Sequence, residues 1–251
     1  QKGSLMLCKT EHALRDEAAL AERANRLGIT AHVLTVEQVA RLEPNVAMDV
    51  VGAVYFPQDC HLIPQRFVAG LTRRLQAEGA QFFWHTEVSG WRIRGRCVEC
   101  ACTNDGELEA DEYVIAGGAW SPQIARGLKV RLPMQAGKGY SITLAQPRQL
   151  PEMCAILVEA RVAVTPMPLD GVLRFGGTME ITGLDESISP ARVRGIVKRL
   201  VPTILPSARK IFAIGRPGAV CGRCRPMACL TSAVCATTTT SASPPDMPCW
   251  A

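Results

Sequence analysis

The chain has 251 residues, a formal net charge of +5 and 47% hydrophobic residues. That length allows one large domain or two small ones, and the composition is typical of a globular protein. The basic residues are scattered rather than gathered in a stripe with aromatic side chains, so nothing favours nucleic-acid binding. No apolar run is long enough to span a bilayer, and the sequence therefore predicts no transmembrane segment.

Short strands and amphipathic helices alternate along the first part of the chain. The periodicity of the apolar residues predicts these elements in order: a strand over 4–8, a helix over 11–27 that Gly28 ends, a short helix opened by a capping box at Thr35, a strand over 51–56, and a helix from Pro64 to Gly79. In the last helix we expect one apolar side to face inward. That side consists of Phe67, Val68, Leu71 and Leu75.

The middle of the chain is rich in predicted strands. They cover residues 81–84, 87–93, 97–103, 107–110 and 113–116, with Asn104-Asp105-Gly106 as a hairpin turn. Further strands follow at 138–144, 162–166 and 172–175, and a helix capped by Ser189 covers 190–200. The pattern predicts an α/β or α+β fold with two interleaved domains.

One join between a strand and a helix is chemically suggestive. The apolar strand over 113–116 runs into Gly117 and Gly118, and the next helix begins with Ser121 as its predicted N-cap and Pro122 at its first position. Paired glycines at a strand end let the backbone approach a ligand where a Cβ would collide. An ordinary turn would show the same pattern.

This join resembles the late FAD-contacting segment of amino-acid oxidases and dehydrogenases of the D-amino-acid oxidase type. Four other strings resemble segments of that family in the same order: the strand entering the substrate domain over 3–11, the return to the FAD domain over 56–64, the crossing over 134–141, and a strand end over 176–180. The resemblance implies a partial two-dinucleotide-fold flavoprotein of class α/β with an α+β substrate domain. It divides the chain into substrate domain (1–56), FAD-binding domain (57–133), substrate domain again (134–207) and a tail (208–251).

The resemblance implies a short set of site residues. Those aligned with cofactor contacts are Val88, Ala116, Gly117, Gly118, Ala119 and Trp120. Tyr140 is a candidate for the substrate pocket, although a buried aromatic at a strand start is more often a packing residue. Arg174 could face the same pocket, with a solvated strand arginine as the alternative. Lys138 is interpreted as a solvated or turn residue.

The cysteines do not predict a metal site. Alternation along a strand places Cys100 and Cys102 on one face and Cys97 on the other, which is a poor arrangement for a metal. Cys221 and Cys224 have the spacing of a zinc pair, but no second pair or histidine follows.

Two features at the ends of the sequence shape the interpretation. No G-x-G-x-x-G turn occurs in the chain, which we interpret as a start downstream of that motif. From Pro217 onward a permitted choice of wobble bases in a shifted frame spells strings like the family's C-terminal motifs, including its carboxylate-binding Gly-Leu-Arg-Pro. We therefore predict a frameshift between about Ser207 and Pro217 and a disordered, out-of-frame tail.

The resulting hypothesis is a fragment of an enzyme that uses FAD to oxidise the α-carbon of D-amino acids or hydroxyproline-like imino acids. The fragment itself is expected to be inactive, to bind FAD poorly or not at all, and to leave a sheet edge unpaired. We predict an amino-acid substrate, a quinone or oxygen as electron acceptor, and a cytoplasmic location, with attachment to the inner membrane as the alternative. Other hypotheses are a non-catalytic truncated product or a cysteine-bearing binding module and, within the enzymes, a relative that oxidises sarcosine, glycine or glycerol phosphate.

Overall fold

A computed structural model of the chain describes residues 2–147 and 149–200, together with the backbone of the strand Thr237–Thr239. The helices are α1 Glu11–Arg26, α2 Val36–Leu42, α3 Pro64–Ala77, α4 Ser121–Arg126 and α5 Pro190–Leu200. The strands are β1 Ser4–Cys8, β2 His32–Leu34, β3 Gly52–Phe56, β4 Val88–Arg94, β5 Cys97–Thr103, β6 Gly106–Glu109, β7 Glu112–Val114, β8 Lys138–Ala145, β9 Cys154–Leu157, β10 Val162–Met167, β11 Val172–Glu180 and β12 Thr237–Thr239.

The described residues form two compact units. The first, here called the sheet unit, contains residues 2–68, 139–180 and 186–200. The second, the meander unit, contains residues 69–138 and 181–185. The sequence predicted domain boundaries at 56/57 and 133/134, whereas the boundaries between the two units lie at 68/69 and 138/139. The predicted tail lies outside the described residues, apart from the backbone of β12.

A seven-stranded mixed sheet organises the sheet unit, in the order β2-β3-β1-β9-β10-β11-β8. Strand β1 pairs antiparallel with β3, placing Leu5 opposite Tyr55, and parallel with β9, placing Leu5 opposite Ala155. Strands β9, β10 and β11 then follow as antiparallel neighbours. Since β1 lies centrally, its alternate residues are buried on both faces.

The two faces of this sheet are covered differently. On one face Leu5, Phe175 and other strand residues pack with Val39 of α2 and Ile196 of α5 in the main core. On the opposite face a smaller cluster joins Val54 to Ala21 of α1. We call the first face the core side.

Local sequence signals account for the ends of the helices. Thr10 caps α1, because its hydroxyl accepts the N–H of Ala13 at 3.2 Å. Thr35 and Gln38 form the reciprocal capping box expected at the start of α2. Gly28 adopts a φ of +81° just after α1, a conformation that glycine accepts without steric cost.

The meander unit contains a three-stranded antiparallel sheet, β4-β5-β6. The predicted turn at Asn104 and Asp105 joins β5 to β6, and Gly106 has a φ of +116°. Trp91 on β4 donates from its indole N–H to the carbonyl of Ile124 in α4 at 2.9 Å and meets the ring of Tyr113 edge to face. These contacts join the sheet to the segment that follows β7.

The apolar side of α3 is not covered by the described residues, contrary to the sequence prediction. The relative exposures of Phe67, Val68, Leu71 and Leu75 are 59%, 58%, 48% and 38%. The helix itself forms as predicted, because its 3.6-residue periodicity and the positive φ of Gly79 are local properties. Which side of a helix is buried depends on what packs against it, and that information is not local.

Other local expectations were also wrong. Residues 81–84 form no strand, and Trp84 there is 64% exposed and stacks on Phe82. Leu27, expected on the inward side of the first helix, is 79% exposed because it follows the last turn of α1. The structure also contains three strands that the sequence did not predict, β2, β9 and β12.

Candidate functional site

The glycine turn after β7 has a specific geometry. Strand β7 is short and partly open, with Val114 61% exposed, and its backbone pairs with β12. A 3-10 turn over Gly118–Trp120 then leads directly into α4. Ser121 is therefore the first residue of α4 rather than its N-cap, with helical φ and ψ of −51° and −40°. The predicted cap was wrong by one position, because the 3-10 turn already starts the helical path.

Gly117 and Gly118 differ in what surrounds them and in their backbone conformation. A Cβ on Gly117 would lie 2.8 Å from Cδ1 of Ile124, so a side chain there would require the end of the Ile124 side chain to move. Gly118 has a φ of +55°, and a Cβ built there would meet nothing within 4 Å. The turn thus presents open backbone at Gly118 beside the 46% exposed ring of Trp120.

The other residues predicted for the site lie elsewhere. Val88 is the first residue of β4, opposite Thr103. Tyr140 lies on β8 in the sheet unit, 3% exposed, with its side chain in the main core. Ala116 to Trp120 lie together in the meander unit, whereas Tyr140 lies in the sheet unit.

Tyr140 belongs to a polar cluster at the edge of that core. Its hydroxyl lies in short hydrogen-bond contact with the carboxylate of Glu180 and accepts the N–H of Ser189 at 3.4 Å. Arg192 completes the cluster, with Nε 3.2 Å from Glu180 and Nη1 2.9 Å from the hydroxyl of Thr178. These bonds connect β8, β11 and the start of α5, and they favour the packing interpretation of Tyr140.

Lys138 is not solvated, contrary to the sequence expectation. It is 4% exposed, and its ammonium lies 3.2 Å from the carboxylate of Asp185. A buried ammonium needs such a partner because desolvation is costly. Sequence reasoning missed Asp185, which is distant along the chain and follows no motif.

The thiols of three cysteines are poorly suited to nucleophilic chemistry. Burial, with the nearby carboxylates of Glu159 and Glu17, raises the pKa of Cys8 to about 12. Burial also raises the pKa of Cys100 and Cys154 above the ordinary thiol value. The reactive form of cysteine is the thiolate, which these surroundings disfavour.

A group of potential metal ligands occurs on the meander sheet. The ligand atoms of Cys100, Cys102 and Glu107 lie within 4.8 Å of one another. The carboxylate of Glu107, however, is in short contact with the guanidinium of Arg92, which also pairs with Glu99 and Glu109. That cation and the raised pKa of Cys100 both oppose metal ligation. The pair Cys221 and Cys224 lies outside the described residues.

The meander unit also contains an open cavity of about 440 Å³. Its lining is Ile93, Gly95, Arg96, Val98, Leu128, Lys129 and Val130. None of these seven residues has a carboxylate, thiol, hydroxyl or imidazole side chain, the groups most often used for general acid–base catalysis.

The glycine turn, the mixed sheet and the meander can be compared with known proteins. A family profile described as FAD dependent oxidoreductase matches residues 1–231. The chain belongs to this family of FAD-dependent oxidoreductases. The expected resemblance and the mixed α/β fold class are thereby confirmed.

Two curated relatives of this chain carry the same name. D-amino acid dehydrogenase of Vibrio atlanticus is 28% identical over 216 residues, which cover 83% of this chain and 50% of the relative. D-amino acid dehydrogenase of Paramagnetospirillum magneticum is 29% identical over 208 residues, covering 82% and 46%. The chain spans about half the length of the curated relatives it matches.

A solved structure supports the fold. Glycine oxidase from Geobacillus kaustophilus superposes with a TM-score of 0.74 at 22% identity, covering 90% of this chain and 59% of the other. At that identity the similarity concerns the fold alone. Among the described residues no helix combines the length and apolar character needed to cross a bilayer.

The glycine turn fits one part of an FAD site. Open backbone at Gly118 and the exposed ring of Trp120 suit the close approach of a flat, largely apolar group. The 251 residues contain no G-x-G-x-x-G turn, which commonly holds a pyrophosphate. The residues of the glycine turn therefore fit one wall of a cofactor site, and a pyrophosphate-binding turn of this type is not part of it.

Proposed function

We propose that this chain forms the substrate domain and one wall of the flavin site of an enzyme that oxidises the α-carbon of D-amino acids or related imino acids. The observation that carries the proposal is the pair of D-amino acid dehydrogenases that match more than four fifths of the chain. The open glycine turn in the meander unit is consistent with it.

The reaction is a two-electron oxidation of an amine. The substrate loses a hydride from its α-carbon and a proton from its amino nitrogen, which leaves an imine. The imine of a primary amine then takes up water and releases ammonia, whereas the cyclic imine of a proline-like substrate keeps its nitrogen in the product. FAD, when bound, supplies the two-electron acceptor. The protein has to hold the substrate in one orientation and keep water from the reacting atoms.

We assign Ala116, Gly117, Gly118, Ala119 and Trp120 to contact with the flavin nucleotide, and Val88 to its adenine end. The two glycines allow an approach that side chains would block. Tyr140 is proposed to act indirectly, because its hydroxyl is already engaged by Glu180 and Ser189. It would hold β8, and with it the edge of the substrate domain, in place.

The proposal can be tested on the protein encoded by the complete reading frame that contains this sequence. We expect it to carry flavin and to reduce an artificial dye acceptor under nitrogen when D-alanine or D-proline is added. L-alanine, glycine, sarcosine and glycerol 3-phosphate serve as comparison substrates. Faster reduction with any of these four than with every D-amino acid tested would overturn the substrate class.

The same assay separates the enzyme from a non-catalytic module. A flavin-free protein with no turnover on any of these substrates would contradict the enzyme proposal. Repeating a positive assay in air without the dye, and then with a soluble quinone, distinguishes oxygen from quinone as acceptor. Fractionation of the producing cells distinguishes a cytoplasmic enzyme from one attached to the inner membrane.

A further inference from the structure

The cavity of the meander unit lies between two turns of the chain. One wall is the two-residue turn of Gly95 and Arg96, which joins β4 to β5 and in which Gly95 has a φ of +62°. Ile93 and Val98 extend this wall on either side of the turn. The other wall is the segment 128–130, which follows α4. A ligand in the cavity would therefore contact two separate elements at once.

Contacts within the unit hold these two walls together. Trp91 of β4 donates its indole N–H to the carbonyl of Ile124 in α4 at 2.9 Å. A Cβ added to Gly127 would lie 3.0 Å from Cδ1 of Trp91, so the end of α4 lies close to that ring. After α4 the N–H of Val130 donates to the carbonyl of Ala125 at 3.2 Å and closes the turn. The two walls are therefore held at a fixed spacing by hydrogen bonds and packing.

The floor of the cavity is apolar. Val98 is 6% exposed, Leu128 and Val130 are half-buried, and Ile93 is 44% exposed. Removing aliphatic surface of this kind from water is favourable. The floor therefore favours a ligand that carries a hydrocarbon chain.

Two cations line the same cavity, one from each wall. Arg96 and Lys129 are both exposed, so each can reach a ligand that enters from solvent. In the described part of the chain no Asp or Glu lies within ion-pair distance of either, whereas the neighbouring Arg94 is paired with Glu99 at 2.7 Å. Lys129 also has a φ of +59°, a backbone conformation that costs a lysine energy and that glycine adopts freely. The local backbone therefore gives no reason for a lysine at position 129.

We propose that this cavity binds an amphipathic carboxylate, with its hydrocarbon chain on the apolar floor and its carboxylate between Arg96 and Lys129. A guanidinium and an ammonium both form charge-assisted hydrogen bonds with a carboxylate, so a ligand with both parts matches the whole lining. The lining contains no carboxylate that would repel such an anion. It shares no residue with the glycine turn, and the inference does not depend on the proposed function.

Two kinds of small molecule have this chemistry. One is a fatty acid of medium chain length, and the other is a branched 2-oxo acid, the class of product released when a branched amino acid is oxidised at its α-carbon. The probes are therefore octanoate and 4-methyl-2-oxopentanoate. Octylammonium keeps the long chain and reverses the charge, and acetate keeps the charge without the chain.

The experiment uses the protein encoded by the complete reading frame and measures dissociation constants by ligand-observed NMR at low salt. Two variants test the two cations, Lys129→Gly and Arg96→Gln. Arg161→Gly is the matched control, because Arg161 is also an exposed cation with a positive φ, of +52°, but lies between β9 and β10 in the sheet unit. Glycine suits the backbone at both positions, so both glycine variants should fold.

We expect Lys129→Gly and Arg96→Gln each to weaken octanoate binding by about tenfold, because each removes a charge-assisted contact. Arg161→Gly should bind octanoate like the wild type. Octylammonium should bind the wild type more weakly than octanoate does. Acetate should also bind more weakly than octanoate, by up to about fourfold for each buried methylene. Raising the salt concentration should weaken octanoate binding, since the two cations are exposed.

The variants decide where the probes bind. The inference is overturned if neither acid binds, or if neither Lys129→Gly nor Arg96→Gln weakens the binding, as for binding confined to the flavin site. Equal binding of octanoate and octylammonium to the wild type also overturns it, as does a loss in Arg161→Gly as large as that in Lys129→Gly. Where the expected losses occur, the tighter of the two acids identifies the source as a lipid-derived acid or an oxidised amino acid. If Lys129→Gly fails to fold, Arg96→Gln provides the test, with the same expected loss.

Discussion

Two carboxylates of the sheet unit have pKa values shifted in opposite directions. Glu43, at the end of α2, is 1% exposed and accepts the N–H groups of Glu152 at 2.8 Å and Met153 at 2.7 Å. Burial raises its pKa even though these two bonds favour the charged form. Glu159 accepts the N–H groups of Lys9 and Thr10 at 2.9 Å, and these bonds lower its pKa against the opposing effect of partial burial. The pH dependence of stability should therefore differ between the two sites.

Replacing Glu43 by Gln should destabilise the fold by about 1–3 kcal/mol, because one of the two buried N–H groups loses its acceptor. The raised folded-state pKa means that this carboxyl contributes most when it is protonated. Its contribution is complete below the ordinary pKa of 4.5 and is lost as the pH rises through the folded-state value. Urea unfolding of wild type and Glu43→Gln between pH 4 and 8 should show a difference that shrinks with rising pH. A difference that grows would contradict the assignment.

Replacing Glu159 by Ala should have the opposite pH dependence. The lowered pKa means that the ionised carboxylate stabilises the folded state above the ordinary value, and this contribution is lost as the pH falls through the folded-state pKa. The difference in unfolding free energy between wild type and Glu159→Ala should therefore be largest near neutral pH and should decline in acid. Glu22→Ala, on an exposed position of α1, is the control.

At the scale of elements, α3 combines a regular helix with an exposed apolar side. Leu71 on that side is 48% exposed, whereas Phe175 in β11 is fully buried. We expect Leu71→Gln to change the free energy of unfolding by no more than about 0.5 kcal/mol, as is usual for surface positions. Phe175→Ala should cost about 3–5 kcal/mol through lost burial and the cavity left behind. Thermal and urea unfolding of both variants measures the contrast, and a loss above about 1 kcal/mol for Leu71→Gln would show that something covers this side.

The elements also show what the sequence could predict. The bounds of β1, β5 and α5, the capping box at Thr35 and the turn after β5 depend on neighbouring residues, and each was predicted correctly. Predictions failed where the outcome depends on a distant partner. Strand β9 is defined by pairing with β1, 150 residues earlier, and the covered side of α3 depends on packing.

The same difference between neighbouring residues and distant partners applies to the candidate site. The glycine turn was recognisable because its chemistry is contained in adjacent residues, Ala116 to Trp120. The contacts of Lys138 with Asp185 and of Tyr140 with Glu180 join residues 40 or more positions apart, with no motif to mark them. Arg174 was a candidate for the substrate pocket in the sequence analysis, with a solvated strand arginine as the alternative.

At the scale of the whole molecule, the chain corresponds to part of each relative it matches. It contains the mixed sheet, the meander and the glycine turn, and it spans about half the length of the D-amino acid dehydrogenases it matches. The frameshift expected between about Ser207 and Pro217 lies outside the described residues and stays a prediction, which the coding nucleotide sequence tests directly. Wobble bases that fail to spell the family's C-terminal strings in the shifted frame would refute it.

The 251-residue chain by itself should bind FAD weakly or not at all. Much of the affinity of a dinucleotide site comes from backbone N–H groups and a helix N-terminus around the pyrophosphate, and the chain has no G-x-G-x-x-G turn to provide them. The wall at Gly118 and Trp120 adds contact area but no phosphate ligand. The purified chain should therefore lack visible flavin absorbance and should not quench FAD fluorescence on titration. The protein from the complete reading frame should show flavin absorbance and should quench FAD fluorescence. Stoichiometric flavin on the 251-residue chain would contradict this expectation and would place the pyrophosphate contacts among the residues of this chain.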